Sequence, residues 1–309
     1  MTHKQRMITA LTGGIPDYVP TMELEFQLAP ELMGKDFLRQ KELEGLSQTE
    51  IQYKLDENAD YHVKVYERLE YDAICLHYLE PEFLMYTARR IKQITNDEYL
   101  ILVHGDGTFA IPNGHGMAEF AYRIEDDPEG IEREARAMCD GAIAQNRRML
   151  EGGVDGFILC ADYCFNKGPF LSPPMFRRFV TPYLTELTAD IRARGGYAIK
   201  HTDGDIMPIL DQLVESNPHG LHSLDPMAGV DIRAVKEQYG DKVALLGNVH
   251  CAAMQTGTEE EVVASAEYCL KHAKPGGGYV YTTSNCPFRG LPLERYLLVL
   301  DVWKKHRKY

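Results

Sequence analysis

The stretch that decides the fold is residues 172–205, S-P-P-M-F-R-R-F-V-T-P-Y-L-T-E-L-T-A-D-I-R-A-R-G-G-Y-A-I-K-H-T-D-G-D. Its first half predicts a helix, because Ser172 is a good N-cap and apolar side chains recur with the helical period. Those side chains are Phe176, Phe179, Val180, Tyr183, Leu184 and Leu187. The pair Gly195-Gly196 ends the helix, the strand Tyr197–Lys200 follows, and a polar loop begins at His201. The segment therefore has the order helix, strand and polar loop, which is typical of a parallel sheet.

The same order recurs along the chain. Thr258, with Glu261 three residues later, predicts a capped helix before the strand Tyr279–Thr283, and Asp127 predicts another before the strand Gly156–Cys160. Further strands are predicted at Val19–Leu24, Ala73–His77, Gly220–Leu224 and Val243–Leu246. A count of seven or eight strands fits one (β/α)8 TIM barrel domain over residues 1–309. An open doubly wound sheet is the alternative, although no G-x-G-x-x-G follows the first strand.

One segment departs from this alternation. Residues 91–109 contain an N-D and a G-D-G sequence between apolar residues. Such sequences are typical of tight turns between paired strands, so this segment predicts a small β-hairpin inserted into the barrel.

Composition excludes several classes of function. The formal net charge of −13 disfavours binding to nucleic acid, because a polyanion would be repelled. No apolar run approaches the length of about 20 residues that spans a membrane, and no signal peptide is evident. The seven cysteines form no C-x-x-C pair, which favours reduced thiols over a disulfide framework. We therefore expect a cytoplasmic protein.

Polar residues collect where the predicted strands end. In a TIM barrel the residues just past the carboxyl end of each strand face one shared pocket. Any single Asp or Asn there could instead cap the following helix, but the whole set favours a catalytic pocket. Its members are Glu23, Glu25, His77, Glu80, Asp162, His201, Asp203, Asp225, Asn248, His250, Asn285 and Cys286.

Two of these residues point to a metal. Imidazole and thiolate are preferred ligands of Zn²⁺, and a catalytic zinc keeps three protein ligands, so His201 and Cys286 are candidates. Asp203 is the expected third ligand and Glu80 is its rival. In the alternative interpretation, His201 only hydrogen-bonds a carboxylate and Cys286 is inert. The other histidines are predicted to lie at the surface or at helix ends, namely His104, His219, His222 and His272.

The whole-chain pattern resembles the uroporphyrinogen decarboxylase superfamily. Similar segments, in the family's order, lie at Arg6–Pro20, Phe165–Leu184, Lys200–Ile206, Tyr239–Val249, Gly257–Val262 and Gly276–Asn285. The resemblance implies a (β/α)8 barrel with its pocket at the carboxyl ends of the strands. The superfamily contains decarboxylases of porphyrin biosynthesis and cobalamin-dependent methyltransferases.

The first predicted strand separates these two branches. The decarboxylases carry an R-Q-A-G-R-Y segment there, whose arginines hold the carboxylates of a macrocycle. The chain instead reads M-E-L-E-F-Q-L-A-P-E-L, with Glu23 and Glu25 where cations are needed. Acids would repel a polyacidic substrate. The resemblance therefore favours a methyltransferase, with a cofactor-free decarboxylase as the alternative and a barrel that only binds a corrinoid or a partner as the third.

In the methyltransferase branch, several members hold zinc through H-x-C and a distant cysteine. His201 and Cys286 match the outer two of these ligands, and Asp203 stands where the middle cysteine would be. An oxygen ligand makes the metal a harder Lewis acid, which suits an ether or hydroxyl oxygen. We therefore expect a methyl group to move between a small methoxylated or methylated compound and a corrinoid protein.

Roles for the remaining strand-end residues follow from this expectation. Asp162, Glu80 and His250 are expected to position or protonate the substrate oxygen. Residues expected to bind substrate are Glu23, Glu25, Tyr163, Asn248 and Asn285. Related barrels often pair, so a homodimer is one assembly that the resemblance allows.

Overall fold

The computed structural model describes residues 1–309 and contains a curled parallel sheet surrounded by helices. All seven strands of this sheet are parallel, and their order is β1-β2-β3-β6-β7-β8-β9, with a separate two-stranded β4–β5 hairpin. The strands are β1 Ala73–Cys75, β2 Leu100–His104, β3 Gly156–Cys160, β4 Cys164–Phe165, β5 Gly168–Pro169, β6 Tyr197–Thr202, β7 Gly220–Ser223, β8 Ala244–Val249 and β9 Tyr279–Thr283.

Helices connect successive strands of the sheet, as the alternating pattern predicts. The α-helices are α1 His3–Leu11, α2 Ala29–Met33, α3 Gln48–Leu69, α4 Pro81–Thr95, α5 Gly116–Asp126, α6 Pro128–Glu151, α7 Pro173–Phe179, α8 Thr181–Ala193, α9 Leu210–Glu215, α10 Ile232–Tyr239, α11 Cys251–Thr256, α12 Glu259–Ala273 and α13 Leu293–His306. Short 3₁₀ helices lie at Gln40–Leu43, Met207–Ile209 and Pro226–Ala228. None of these helices is long and apolar enough to cross a lipid bilayer.

The eighth strand expected of a (β/α)8 barrel is replaced by a short bridging segment. The predicted strand Val19–Leu24 forms one isolated bridge, between Thr21 and Tyr281. Thr21 nevertheless contacts both edges of the sheet, since its hydroxyl donates to the carbonyl of Tyr281 at 2.8 Å and its own carbonyl accepts from the amide of Asp72 at 2.8 Å. The expectation of a barrel-like α/β fold is therefore confirmed, but the regular strands number seven.

The β-hairpin predicted at residues 91–109 is wrong. Residues Pro81–Thr95 form α4, and Leu100–His104 form β2 in the middle of the parallel sheet. Pro81 begins the helix in its first turn and Asn96 ends it in the left-handed conformation at φ 53°. The following run L-I-L-V is fully buried, which is typical of a parallel strand covered on both faces.

The helix predicted from Ser172 is divided in two. Val180, at φ −125°, separates α7 from α8, and Pro182 lies in the first turn of α8. Proline lacks the N–H that a continuous helix would need at this position. The break leaves Phe176, Phe179 and Leu184 buried, so the predicted apolar face is kept.

Two hydrophobic layers hold the sheet in place. The interior layer contains residues of six strands together with Met7, Ala10 and Leu11 of α1, which closes the amino-terminal end of the sheet. A larger layer lies between the outer face of the sheet and the helices. The carboxyl ends of the strands remain free to carry polar residues.

Candidate metal and active site

Three of the predicted residues meet at the carboxyl ends of β3 and β6. The ligand atoms of Asp162, His201 and Asp203 all lie within 4.8 Å of one another. Nε2 of His201 is 3.7 Å from Oδ1 of Asp162 and 3.8 Å from Oδ1 of Asp203. We call this group the Asp-His-Asp cluster.

The sheet register explains why the two carboxylates are neighbours. Cys160 of β3 lies directly opposite His201 of β6, so Asp162 and Asp203 each follow two residues later. The backbone N–H of Asp203 donates to Oδ1 of Asp162 at 3.0 Å. Adjacent parallel strands therefore bring both acids to the same edge of the sheet.

Neutral donors orient the carboxylate of Asp203. The hydroxyl of Ser223, at the end of β7, donates to Oδ1 at 2.7 Å, and the amide of Asn285, after β9, donates to Oδ2 at 2.6 Å. Burial raises the pKa of Asp203 to about 6, against these two hydrogen bonds, and the charges of Asp162 and Asp225 add to the increase. A bound cation would relieve this crowding of negative charge.

His201 is held by a second histidine. Nδ1 of His201 lies 2.7 Å from Nδ1 of His222, its neighbour on β7. Burial lowers the pKa of His201 to about 4 and the pKa of His222 well below its usual range. Both rings are therefore neutral near pH 7, and the neutral imidazole is the form that binds a metal.

A buried lysine of β6 links the carboxyl ends of β2 and β3 near the cluster. Nζ of Lys200 donates to Asp106 at 2.7 Å and to the carbonyls of Leu159 and Ala161 at 3.0 Å each. The Lys200 side chain is fully buried, and its ammonium lies 4.1 Å from the ring centre of Tyr163. Its charge is therefore directed at Asp106, and the Lys200 ammonium makes no ion pair with the Asp-His-Asp cluster.

The donor set of the cluster fits a divalent cation. Two carboxylates and one neutral imidazole are accepted zinc ligands, and three protein ligands leave a coordination position open for substrate. The predominance of oxygen also makes the site harder than a thiolate site. The composition of the cluster is therefore compatible with zinc.

Cys286 lies outside this cluster. Its side chain is buried, and burial together with the nearby charges of Glu25 and Glu23 raises the pKa of the thiol far above its usual range. The thiolate is the form that binds a metal, whereas the raised pKa keeps the Cys286 thiol protonated as long as no metal is bound. Asp162 occupies the place in the cluster that the sequence pattern gave to Cys286.

Gly204 packs the β4–β5 hairpin against the loop that follows Asp203. It has φ +86°, and a Cβ added there would lie 2.4 Å from the carbonyl oxygen of Cys164 and 2.7 Å from that of Phe165. The amide of Asp205 also donates to the carbonyl of Phe165 at 2.9 Å. The close backbone approach at Gly204 therefore holds the loop carrying Asp203 in place.

We expect the substitution Gly204→Ala to lower the free energy of unfolding by about 3 kcal/mol, because it adds a steric clash to the cost of a left-handed alanine. Gly229→Ala is the matched control, since Gly229 has φ +83° and open space around it. It should cost only about 1 kcal/mol. Equal losses in urea unfolding of the two variants would contradict the role assigned to Gly204.

A cavity of about 300 Å³ opens at the carboxyl ends of β2 and β3. Asp162, His201 and Asp203 are not in its lining, but Cys160 in its wall is the register partner of His201. Its lining residues are His104, Gly105, Asp106, Ala142, Gln145, Asn146 and Cys160. A larger cavity of about 650 Å³ is lined by α12, α13 and the residue after α12 and contains none of the strand-end residues. Of these two cavities, the smaller one thus lies at the end of the sheet that carries the cluster.

Several other predicted site residues are occupied by contacts within the protein. The Asn248 amide donates to the carbonyl of Leu224 at 2.7 Å, and the Tyr163 hydroxyl bonds to the hydroxyl of Thr108 at 2.6 Å. His250 is the N-cap of α11 and accepts from the amide of Ala253, while Glu80 is the exposed N-cap of α4. Of the predicted substrate-binding residues, Asn285 contacts the cluster directly.

Glu23 is buried rather than facing a substrate, whereas Glu25 is partly exposed. The Glu23 carboxyl accepts from the hydroxyls of Thr282 and Thr283 at 2.9 and 2.6 Å and from Tyr296 at 3.2 Å. Burial nevertheless raises its pKa to about 7, because no cation lies against it among these contacts. Glu23 therefore links the segment after Thr21 to β9.

The raised pKa of Glu23 predicts a pH dependence of stability. A pKa of about 7 in the folded chain, against an ordinary value of 4.5, means that folding favours the protonated form. This contribution is complete below about pH 4.5 and is lost as the pH rises towards 7, by on the order of 3 kcal/mol. In urea unfolding the wild type should therefore lose stability relative to the uncharged variant Glu23→Gln as the pH rises. Parallel plots of unfolding free energy against pH for the two proteins, from pH 5 to 8, would contradict this pH dependence.

The prediction for His222 is wrong, since the structure buries this residue beside His201. Residues alternate between the two faces of a strand, and His222 lies opposite His201 in the register. Because Gly220–Leu224 is a predicted strand, this alternation was the available signal. Lys200 gave no such signal, because a buried lysine is rare and its partner Asp106 lies 94 residues away.

Comparison with known proteins gives one family match. The family described as Uroporphyrinogen decarboxylase (URO-D) matches residues 111–306. This match includes Asp162, His201, Asp203 and Cys286. No curated protein matches the chain significantly.

Several solved structures are similar to the chain. A methyltransferase from Methanosarcina mazei is 17% identical, with a TM-score of 0.74 over 99% of each chain. A chloride-inhibited dihydrodipicolinate synthase from Acinetobacter baumannii complexed with pyruvate is 12% identical, with a TM-score of 0.43 over 94% of this chain and 82% of that one. The first of these similarities shows that the two chains share a fold over their whole length.

Proposed function

The chain belongs to the uroporphyrinogen decarboxylase family, and from this membership we propose that it is a zinc-assisted methyltransferase. In this proposal it moves a methyl group between a small methoxylated or methylated compound and a corrinoid carried by a partner protein. The Asp-His-Asp cluster is the observation that carries the proposal. Its three side chains converge where the carboxyl ends of parallel strands place a reaction site.

The charges around the cluster argue against a polycarboxylate substrate. Asp162, Asp203 and Asp225 lie close enough to raise the pKa of one of them, and Lys200 is engaged by Asp106. A substrate with many carboxylates needs cations, whereas a neutral ether needs none. The arrangement therefore supports transfer from an uncharged methyl donor over decarboxylation of a porphyrinogen.

In the proposed site Asp162, His201 and Asp203 hold the zinc ion. When bound, this ion supplies Lewis acidity that polarises an ether or hydroxyl oxygen of the substrate. Ser223 and Asn285 fix the carboxylate of Asp203 in its orientation, so that both of its oxygens have a defined direction. Cys286 is the rival third ligand in this proposal.

Proton transfer and substrate positioning are assigned to exposed or half-buried groups at the strand ends. Asp162 has a half-exposed side chain, so besides holding the zinc it can contact a substrate bound at the metal. His250 accepts from the amide of Ala253 through Nδ1, so in its neutral form Nε2 carries the proton and can donate it. Glu80 is likewise exposed and free to accept or donate a proton.

Methyl transfer tests this proposal directly. Purified protein would be mixed with cob(I)alamin and a panel of methoxylated compounds, and methylcobalamin formation would be followed by absorbance. We expect turnover that stops when a chelator removes zinc and returns when zinc is restored. Turnover of uroporphyrinogen III without formation of methylcobalamin would instead establish a decarboxylase.

A further inference from the structure

His222 is a buried histidine whose side chain forms a single hydrogen bond. Its residue surface is 2% exposed, and its Nε2 is buried without a hydrogen-bond partner. An unpaired buried polar group costs about 1–3 kcal/mol. The only hydrogen bond of the side chain is the one to Nδ1 of His201, at 2.7 Å. The His222 ring thus has one polar contact, and that contact is a proposed metal ligand.

The bond between the two rings admits two arrangements of protons. In one, Nδ1–H of His201 donates to Nδ1 of His222, which leaves a lone pair on Nε2 of His201. In the other, His222 donates, and Nε2 of His201 carries a proton directed at Asp162 and Asp203. Only the first arrangement allows His201 to bind a metal through Nε2.

We propose that His222 is a positioning residue that accepts the Nδ1–H of His201 and thereby keeps Nε2 of His201 free for the metal. This inference rests on the proposed function, because it requires a metal at the Asp-His-Asp cluster. Ligating histidines usually donate their second ring N–H to a carboxylate, a carbonyl or water. In this protein the acceptor of that N–H is the neutral imidazole of His222 on the neighbouring strand.

The pairing of β6 with β7 places an orienting side chain beside each of two proposed ligands. His201 and His222 are opposite each other in a parallel register, and Ser223, the next residue of β7, donates to Asp203. Successive residues of β7 therefore orient both proposed ligands at the carboxyl end of β6. The side chain of His222 acts on the imidazole, and that of Ser223 acts on the carboxylate.

The test compares zinc affinity in three variants. Zinc would be titrated into metal-free protein in competition with a chromophoric chelator. His222→Leu removes the acceptor and should weaken zinc binding about 10- to 100-fold. His222→Asn places an amide oxygen close to the position of Nδ1 and should recover most of that loss. His219→Leu is the matched control just before the same strand and should bind zinc like the wild type.

A second readout follows the protons themselves. In long-range ¹H–¹⁵N spectra of zinc-loaded wild-type protein, we expect His201 to be protonated at Nδ1, with its signals identified by their loss in His201→Ala. This spectrum needs no variant of His222, so the test stands even if His222→Leu fails to fold.

The outcomes separate the inference from the proposed function. Wild-type zinc affinity in His222→Leu, or a proton on Nε2 of His201 in the loaded protein, would overturn the role of His222 alone. Equal and negligible zinc binding by the wild type and His201→Ala would overturn the proposed zinc site itself.

Discussion

Replacing His201 by alanine is expected to abolish zinc binding and to lower methyl transfer about 1,000-fold. A metal acting as a Lewis acid contributes several kcal/mol to transition-state stabilisation, and each 1.4 kcal/mol corresponds to a factor of about ten. His201 is the only nitrogen ligand in the cluster, and the two carboxylates lie on either side of its Nε2. Metal content by mass spectrometry and methylcobalamin formation would measure the two effects.

The control is the same substitution, histidine to alanine, at His219. His219 lies just before β7, where its Nδ1 accepts from the amide of Ala198, far along the strand from the cluster. His219→Ala should retain its zinc and its activity. A His201→Ala variant that keeps wild-type zinc content would show that the metal, if present, is held elsewhere.

Lys200→Met is expected to lower the free energy of unfolding by about 4 kcal/mol. The substitution leaves the carboxylate of Asp106 without its cation, and removing one partner of a buried ion pair typically costs about 3–5 kcal/mol. It also removes the donor to the carbonyls of Leu159 and Ala161. Chemical denaturation monitored by circular dichroism would measure the change.

Two further variants give this prediction its controls. Lys64→Met makes the same substitution at an exposed position of α3 and should leave stability unchanged. The double variant Lys200→Met/Asp106→Asn removes the isolated charge and should recover part of the loss. A loss below about 1 kcal/mol in Lys200→Met would show that the buried pair does not hold the strand ends together.

The alternation of helices and strands was predictable because it depends on local patterns. Gly156–Cys160 and Tyr279–Thr283 have the predicted bounds, since Gly and Pro mark their limits and β-branched or aromatic residues fill them. The strand Leu100–His104 was missed because its N-D and G-D-G neighbours resemble hairpin turns. Only its pairing with β1 and β3, over long separations in sequence, determines that it belongs to the central sheet.

Part of the site was predictable for the same reason. The motif H-T-D-G-D follows a well-marked strand, so His201 and Asp203 had to lie at its end. The choice between Asp162 and Cys286 depends on the register between β3 and β6 and on the burial of the thiol, neither of which the sequence specifies. The His201–His222 contact likewise depends on which strand becomes the neighbour of β6.

Anomalous diffraction at the zinc absorption edge tests the central claim most directly. Crystals of the wild-type protein grown with zinc should show one strong peak in contact with Asp162, His201 and Asp203, with Cys286 outside its coordination distance. A peak bonded to Cys286 in place of Asp162, or no peak at the carboxyl ends of β3 and β6, would contradict the metal site on which the proposed function depends.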